Sequence, residues 1–246
     1  MAEATILRSA ICRTRVFPRP APSLFTFPGL SSRPIYEWDS QSASDYAWKD
    51  VFSSYSMILS ANYDTIRLEY EKIRRECGEK SDYNIGSDEH KLHHGGWDWN
   101  SYILKGKRQP DFAVRCPKTV EILESFQHPV QLMTQTPFSF GFFSTLKSGS
   151  KIDTHTGPCN LRIRCHFPLI VPEGDCGMEV GGVNVVWKEK KAVFFDDCYE
   201  HKVWNNTSKD RVVLLFDLWH PELKQIEIDA IIDMFGYAKT QGWLKS

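Results

Sequence analysis

The chain has 246 residues, of which 41% are hydrophobic and 25% are charged, and its formal net charge is −1. These values are typical of a globular protein with one large domain, and they exclude the strong basic excess that marks nucleic-acid and membrane-surface binders. No apolar run approaches the roughly 18 residues of a membrane-spanning helix. We therefore expect neither a nucleic-acid partner nor a membrane span.

Residues 1–35 differ in composition from the rest of the chain. They are rich in arginine, serine and proline and contain one acidic residue, Glu3. Such a start is typical either of an organelle transit segment or of a non-helical arm, since proline interrupts helices. The sequence thus predicts an N-terminal arm or transit segment over residues 1–24 and one domain over residues 25–246.

Seven cysteines are scattered along the chain and never form a CxxC pair. A zinc ribbon or a dense disulfide framework would need a paired arrangement. We expect free thiols in a reducing compartment, and hence an intracellular protein. The cytoplasm is the simplest location, with an organelle as the alternative if residues 1–35 direct targeting.

Three segments have the apolar spacing of helices. Isoleucines and tyrosines at helical spacing predict a surface helix within Tyr46–Cys77, and a short helix is expected over Lys118–Phe126. Between these two segments, glycines, aspartates and histidines predict a loop through HKLHHGGWDWN. A closing helix is predicted over Glu222–Ala238, and its apolar side comprises Ile226, Ala230, Ile231, Met234 and Phe235.

After Pro137 the sequence takes on the character of strands. The segments are short, rich in β-branched and aromatic residues, and separated by turn residues. They are FSFGFFSTL, LRIRCHFPLIV, MEVGGVNVVW, AVFFDD, HKVW and RVVLLFDLW. Several such strands at close spacing favour a β-sandwich or jelly roll. The predicted fold class is therefore α+β, with helices first, a β core and one closing helix.

The strand LRIRCHF carries an unusual polar face. Alternation places Arg162, Arg164 and His166 on one side of the strand. A solvated face fits this pattern. A buried pocket that meets an anion fits it as well, because buried cations need a partner.

Further histidines and an arginine lie at the ends of predicted strands. His155 precedes a Gly-Pro turn, and His201 opens HKVW. Arg211 opens RVVLLFDLW, where alternation puts it on the same face as Asp217. A β core that gathers histidines and arginines favours a metal with a carboxylate cosubstrate, because arginine binds carboxylates through a two-pronged hydrogen-bond fork.

Five motifs, in order, resemble the aspartyl/asparaginyl β-hydroxylase family of iron(II)- and 2-oxoglutarate-dependent oxygenases. They are HTGP, an RxH whose histidine lies eleven residues later, EHxVWN, an arginine ten residues beyond, and WHPEL. The stretches FPGLSSRPIY, GWDWNSYILKGKR, CPKT and FSTL are similar too, so the resemblance covers about residues 25–225. It implies a double-stranded β-helix core of the jelly-roll or cupin type.

The resemblance implies a role for each matching position. His155 and His201 match the two iron ligands, and Arg211 matches the arginine that grips the far carboxylate of 2-oxoglutarate. Further positions match residues at the same cosubstrate. They are Ser144, the pair Arg164 and His166, and Trp97, for which Trp99 is the alternative.

No acid stands two residues after His155, where the common facial triad has its carboxylate. Gly157 occupies this position, and the family is similar in having glycine there and only two protein ligands. Asp196 and Asp197, shortly before His201, are the alternative acidic ligands. The resemblance implies iron(II) as cofactor, 2-oxoglutarate and dioxygen as cosubstrates, and water as an additional metal ligand.

The expected function is hydroxylation of an unactivated carbon. By family default this is the β-carbon of an aspartyl- or asparaginyl-type side chain in a peptide or related amino acid. The cysteine pair that precedes the CPKT region in well-known animal members is not reproduced, so a peptide, an amino acid and a small metabolite are all candidate substrates. The alternatives are halogenation or ring closure at the same centre, and a non-catalytic β-core binding protein.

Overall fold

The computed structural model describes residues 19–39, 48–83, 92–127 and 129–243. Most of the predicted arm or transit segment therefore lies outside the described residues. The helices of the described part are α1 Lys49–Ala61, α2 Tyr63–Cys77, α3 Pro110–Arg115, α4 Pro117–Glu124 and α5 Gln225–Thr240.

After Pro137 its strands correspond to the predicted segments with two differences: Ser150–His155 is an additional strand that was not predicted, and the segment MEVGGVNVVW forms two strands. Three more strands precede Pro137. In chain order the strands are β1 His93–His94, β2 Trp97–Leu104, β3 Lys107–Arg108, β4 Gly141–Leu146, β5 Ser150–His155, β6 Arg162–Ile170, β7 Cys176–Val180, β8 Val183–Val185, β9 Val193–Phe195, β10 His201–Asn205 and β11 Arg211–Trp219.

The strands form two antiparallel sheets that the chain visits in turn. One sheet has the order β3-β2-β4-β11-β6-β9, and the other has the order β1-β5-β10-β7-β8. Strands β4 to β11 thus divide equally between the sheets, which is the topology of a double-stranded β-helix. The predicted α+β fold with a jelly-roll core is confirmed.

The inner faces of the two sheets pack against each other. Leu146 and Phe195 of the six-stranded sheet form one buried cluster with Ile152, Met178 and Val203 of the five-stranded sheet. Such face-to-face packing of alternating strands is what closes a jelly roll.

Helices cover the outer face of the six-stranded sheet. Alternation along β11 sends Leu214 and Phe216 outward into a buried cluster that includes Phe52 of α1. Val213 and Leu215 face the inside and belong to a separate cluster. Full burial of a side chain such as Phe52 contributes about 1.5–3 kcal/mol. The apolar run of β11 therefore reflects burial of this strand on both faces.

Two predicted elements before the β core are wrong in detail. The segment predicted as one helix forms α1 and α2, which are separated at Asn62, where the side-chain amide donates to the Ile58 carbonyl at 2.8 Å. The predicted loop HKLHHGGWDWN contains the start of β2, because residues from Trp97 onward pair with β4. Sheet pairing here outweighs the local turn signals of glycine and aspartate.

The closing helix is shifted from its predicted position. It runs over Gln225–Thr240 and buries Ile228, Ile231 and Phe235. Three members of the predicted apolar side face outward, since Ala230 is exposed, Ile226 is 74% exposed and Met234 is 41% exposed. The prediction was right for Ile231 and Phe235 but missed Ile228, because apolar residues at helical spacing lie on more than one side of this helix.

No helix within the described residues has the length and apolarity needed to cross a bilayer. The six cysteines in the described part are free thiols, and all but Cys77 are buried.

Candidate active site

His155 and His201 lie side by side at the ends of β5 and β10. The two residues are partners across these strands, and their ring centroids are 4.1 Å apart. The Nδ1 atom of His155 lies 2.8 Å from the Asp153 carbonyl oxygen, and that of His201 lies 2.9 Å from the Tyr199 carbonyl oxygen. A ring that donates Nδ1–H to a carbonyl keeps the lone pair of Nε2 free. This is the arrangement that a metal-binding histidine requires.

The surroundings favour the neutral form of both rings. Burial lowers the pKa of His155 below its usual value. Burial, reinforced by the neighbouring His155, lowers the pKa of His201 to about 3. A neutral imidazole binds a metal without first losing a proton, so this pair suits a divalent cation at neutral pH.

Arg211 is a buried cation that has no carboxylate partner among the described residues. Its side chain is 1% exposed, and its Nε has no hydrogen-bond partner. The guanidinium lies over the ring of Trp187 at 4.8 Å, and Nη1 is 3.5 Å from both Oγ and the carbonyl oxygen of Ser144. Burial lowers the pKa of Arg211 to about 10. A charge buried with so few contacts suits an anionic ligand.

Ser144 connects Arg211 to a tryptophan of β2. The indole N–H of Trp97 donates to Ser144 Oγ at 2.9 Å. Trp99 instead stacks on Phe142, with ring centroids 4.0 Å apart. The structure thus brings Trp97, and not Trp99, to the Ser144–Arg211 pair.

His166 lies between the two histidines and the arginine. Its ring centroid is 5.9 Å from that of Trp187 and 4.9 Å from that of Phe195, which is itself 5.9 Å from His201. Burial, with Arg211 adding to it, lowers the pKa of His166 well below its usual value. Its Nδ1 is buried without a hydrogen-bond partner. Buried polar atoms are usually paired, so this nitrogen is a candidate ligand contact.

The polar face of LRIRCHF is buried, and the protein itself supplies the anions that meet it. Arg162 forms a bidentate contact with Asp197, with Nε–Oδ1 at 3.2 Å and Nη2–Oδ2 at 2.5 Å. Arg164 forms a bidentate contact with Asp217, with Nε–Oδ1 at 2.8 Å and Nη2–Oδ2 at 3.1 Å. The Nη1 atoms cross over, from Arg162 to Asp217 and from Arg164 to Asp197, each at 3.1 Å. The interpretation of this strand face as solvated is therefore wrong.

This network also sets the charge state of Asp197. Burial alone would raise the pKa of Asp197, but Arg162 and Arg164 outweigh burial and hold that pKa below its usual range. The four side chains balance two positive and two negative charges. Arg164 is therefore neutralised within the protein, whereas Arg211 is not.

Asp197 also lies against the glycine that replaces the acid of the common facial triad. A Cβ atom at Gly157 would lie 2.5 Å from the carboxyl carbon of Asp197. The Gly157 N–H donates to the Asp197 carbonyl oxygen at 2.6 Å. The carboxylate of Asp197 thus fills the space that an acidic side chain at position 157 would have entered, because protein interiors leave no room for both.

The second predicted alternative acid is held differently. Asp196 accepts hydrogen bonds from Ser32 Oγ at 2.6 Å and from the Cys198 N–H at 2.9 Å. Ligand atoms of Asp196, Asp197 and Cys198 lie within 4.8 Å of one another. Since both carboxylates already have protein partners, we describe this group as part of the loop structure before His201.

Comparison with known proteins places the chain in a family. A sequence model of the aspartyl/asparaginyl beta-hydroxylase family matches residues 60–221, which is well over half of the chain. The chain belongs to the aspartyl/asparaginyl beta-hydroxylase family. The resemblance seen in the sequence motifs is thereby confirmed.

The relatives of this β-hydroxylase family member match it over segments of different length. Aspartate beta-hydroxylase domain-containing protein 2 of Mus musculus is 29% identical over 220 residues, covering 87% of this chain and 59% of that protein. Ornithine lipid ester-linked acyl 2-hydroxylase of Rhizobium tropici is 32% identical over 165 residues, covering 66% of this chain and 56% of that protein. The chain thus spans less than two thirds of the length of these relatives. A solved prolyl-4-hydroxylase of Pseudomonas putida is 13% identical, with a TM-score of 0.40, covering 69% of this chain and 98% of that one.

Three residues of the site had no assigned role in the sequence analysis. They are Arg162, Asp217 and Trp187. The sequence did contain a signal for Asp217. It is the only acid in a nine-residue apolar strand and lies on the same strand face as Arg211. Such an acid indicates a buried carboxylate that needs a cation. Trp187 had none, because it follows the short strand β8 in a connecting segment whose direction the sequence does not specify.

Proposed function

We propose that this β-hydroxylase family member is an iron(II)- and 2-oxoglutarate-dependent dioxygenase that hydroxylates an unactivated carbon. The observation that carries the proposal is the buried guanidinium of Arg211, which has no acidic partner among the described residues, in the same interior as two adjacent histidines whose Nδ1 atoms face backbone carbonyls. A divalent metal and a dicarboxylate together would satisfy both features.

The histidine pair fits the metal. His155 and His201 would hold iron(II) through Nε2, because their Nδ1 atoms are engaged by backbone carbonyls. Iron(II) with 2-oxoglutarate and dioxygen supplies the oxidising chemistry that no amino-acid side chain can provide. The role of the protein is to orient the reactants and to exclude bulk water from them.

The Asp197 carboxylate contributes charge without the coordination expected of a triad acid. It is oriented by Arg162 and Arg164, so it remains ionised beside the metal position and can accept hydrogen bonds from a ligating water. The Asp197 carboxylate also fills the space beside Gly157 that a halide replacing the triad acid would need. This argues for hydroxylation over halogenation.

The far carboxylate of 2-oxoglutarate would bind Arg211. The guanidinium can offer a two-pronged fork, and Ser144 Oγ, fixed by the Trp97 N–H, adds a further donor. The unpaired Nδ1 of His166 would meet the same molecule. The unoccupied donors at this end of the interior thus match the acceptors of a dicarboxylate.

Arg164 has a distinct place in this proposal. Its guanidinium has five N–H donors, of which the Asp217 fork and the Asp197 contact use three. The two remaining donors are held in a fixed direction by Asp217. We assign them to the 1-carboxylate side of the cosubstrate or to the substrate, in keeping with the family pairing of Arg164 with His166.

By family default, the substrate is an aspartyl- or asparaginyl-type side chain in a peptide or amino acid. The Rhizobium tropici relative is named an ester-linked acyl 2-hydroxylase, so an acyl chain is a second substrate class to include in a screen. Small metabolites complete the panel. All three classes present an unactivated C–H bond next to a polar group.

Succinate release tests the proposal. The purified protein, supplied with iron(II), ascorbate, 2-oxoglutarate and the substrate panel, should form succinate, and one product should gain the mass of one oxygen atom. His155→Ala should abolish both signals, because it removes one of the two metal ligands. Succinate at the level of the His155→Ala control across the whole panel would contradict the proposal.

A further inference from the structure

Residues 21–25, here called the N-terminal strap, cross the two loops that hold the histidines of the site. The Ala21 N–H donates to the Cys198 carbonyl oxygen at 2.7 Å, and the Ser23 N–H donates to the Gly157 carbonyl oxygen at 3.1 Å. Cys198 precedes His201 by three residues, and Gly157 follows His155 by two residues. Ala21 and Ser23 of the strap are therefore hydrogen-bonded to the two segments that carry the histidines, one residue to each segment.

The strap continues along the loop that follows His155. The N–H groups of Leu24 and Phe25 both donate to the Pro158 carbonyl oxygen, at 3.0 Å and 2.9 Å. Phe25 forms a parallel bridge with Cys159. This end of the strap is thereby fixed to the loop by backbone contacts.

The two histidine loops also contact each other beneath the strap. The Gly157 N–H donates to the Asp197 carbonyl oxygen at 2.6 Å, and Cys198 Sγ lies 2.8 Å from the Cys159 carbonyl oxygen. These bonds and those of the strap form one layer that sets the spacing of the loops. The spacing of the loops in turn sets the spacing of the two histidines.

The first part of the strap contributes little to the hydrophobic core. Ala21 and Ser23 are exposed, and Leu24 is 74% exposed. Only at Phe25 does the chain join the core, where the phenylalanine ring meets that of Phe235 with centroids 6.0 Å apart. Because residues 21–24 bury little apolar surface, their contribution to the fold is the set of amide donors directed at the loops.

We propose that the N-terminal strap is a positioning element that holds His155 and His201 at the spacing required for metal binding. The inference rests on the proposed function, because it takes the two histidines as the metal ligands. A ligand pair held in place loses less freedom when the metal binds, which increases affinity without any new contact. The strap acts on the loops, and through them on the histidines.

The test removes the two amide donors from the full chain. Ala21→Pro/Ser23→Pro eliminates both N–H groups, whereas Ala21→Ser/Ser23→Ala changes the same side chains and keeps the donors. Both proteins and the wild type are titrated with cobalt(II), and affinity and the visible d–d spectrum are measured. We expect the dissociation constant of the proline variant to rise severalfold and by at most about thirtyfold, since two ordinary backbone hydrogen bonds correspond to about that factor. Its d–d bands should shift, and the control variant should match the wild type.

Stability and metal binding are separated by a second comparison. Phe112→Leu, in the helix-covered core far from the strap in sequence, lowers the melting temperature without touching the histidine loops. If the double proline variant does not fold, Ser23→Pro alone is compared in the same way. Unchanged cobalt affinity and spectrum in the proline variants, or an equal loss in Phe112→Leu, overturns the positioning role. If the wild type itself binds cobalt no better than His155→Ala, the failure lies with the proposed function.

Discussion

Arg211→Met should stabilise the ligand-free protein while it weakens cosubstrate binding. Burial lowers the pKa of Arg211 to about 10, which corresponds to a penalty of about 3 kcal/mol on the charged form. The ring of Trp187 returns part of this, about 1–2 kcal/mol for a desolvated cation–π contact. Methionine has a similar length and no charge. We therefore expect the free energy of unfolding of the ligand-free variant to rise by about 1–2 kcal/mol.

The effect of Arg211→Met on 2-oxoglutarate should have the opposite sign. The substitution removes a charge-assisted, two-pronged contact in a buried site, which costs about 2–4 kcal/mol and raises the dissociation constant roughly 30- to 1,000-fold. Arg211→Lys keeps the charge but lacks the fork, so it should lie between the variant and the wild type. The substitution thus raises the free energy of unfolding and weakens 2-oxoglutarate binding, because the same buried charge governs both.

Urea unfolding of the metal-free proteins measures the first effect. Titration of the manganese-loaded proteins with 2-oxoglutarate measures the second, with tryptophan fluorescence as the signal because Trp187 contacts Arg211 and Trp97 contacts Ser144. A methionine variant that is less stable than the wild type and binds 2-oxoglutarate equally well would refute the reasoning.

Trp97→Phe should raise the Michaelis constant for 2-oxoglutarate about three- to tenfold, because it removes the donor to Ser144, whereas Trp99→Phe should leave it unchanged in steady-state kinetics. Gly157→Ala should lower the free energy of unfolding by about 1–3 kcal/mol in urea titrations, because the new Cβ would collide with the Asp197 carboxyl. The burial of His220 lowers its pKa, so the folded state takes up a proton on this ring at a lower pH than the unfolded chain, which does so around pH 6.5. Its contribution to stability is therefore present above that pH and lost as the pH falls, by at most about 1.4 kcal/mol per unit. His220→Gln should reduce the loss of urea stability between pH 7.5 and pH 5.5, by at most about that amount.

Each of these predictions has an outcome that contradicts it. Equal Michaelis constants for Trp97→Phe and Trp99→Phe would remove the assignment of Trp97 to the cosubstrate site. An unchanged unfolding curve for Gly157→Ala would mean that Asp197 does not fill the space beside the glycine. A His220→Gln variant with the pH dependence of the wild type would show that this ring takes up its proton at the same pH in the folded and unfolded states.

The strand pattern of the sequence predicted most of the β core correctly. Segments such as RVVLLFDLW and LRIRCHFPLIV are short, apolar and bounded by turn residues, and they form the paired strands β11 and β6. The helix α5 was less predictable, since apolar residues lie on both of its sides and only packing against the core selects Ile228 over Ile226. Strand β2 was missed because its pairing with β4 is a long-range contact.

The sequence by itself determined the chemical types at the site and, through ordered motifs, the family. It identified His155, His201 and Arg211 as candidate ligand residues, and strand alternation placed Arg162 and Arg164 on one face. Only the tertiary structure decided which of these cations is free. The partners of the two β6 arginines come from 33 to 55 residues away in the chain, and the register between strands selects them. Arg211 has no such partner in the described part of the chain, and this difference, invisible in any local pattern, marks it as the position for an external anion.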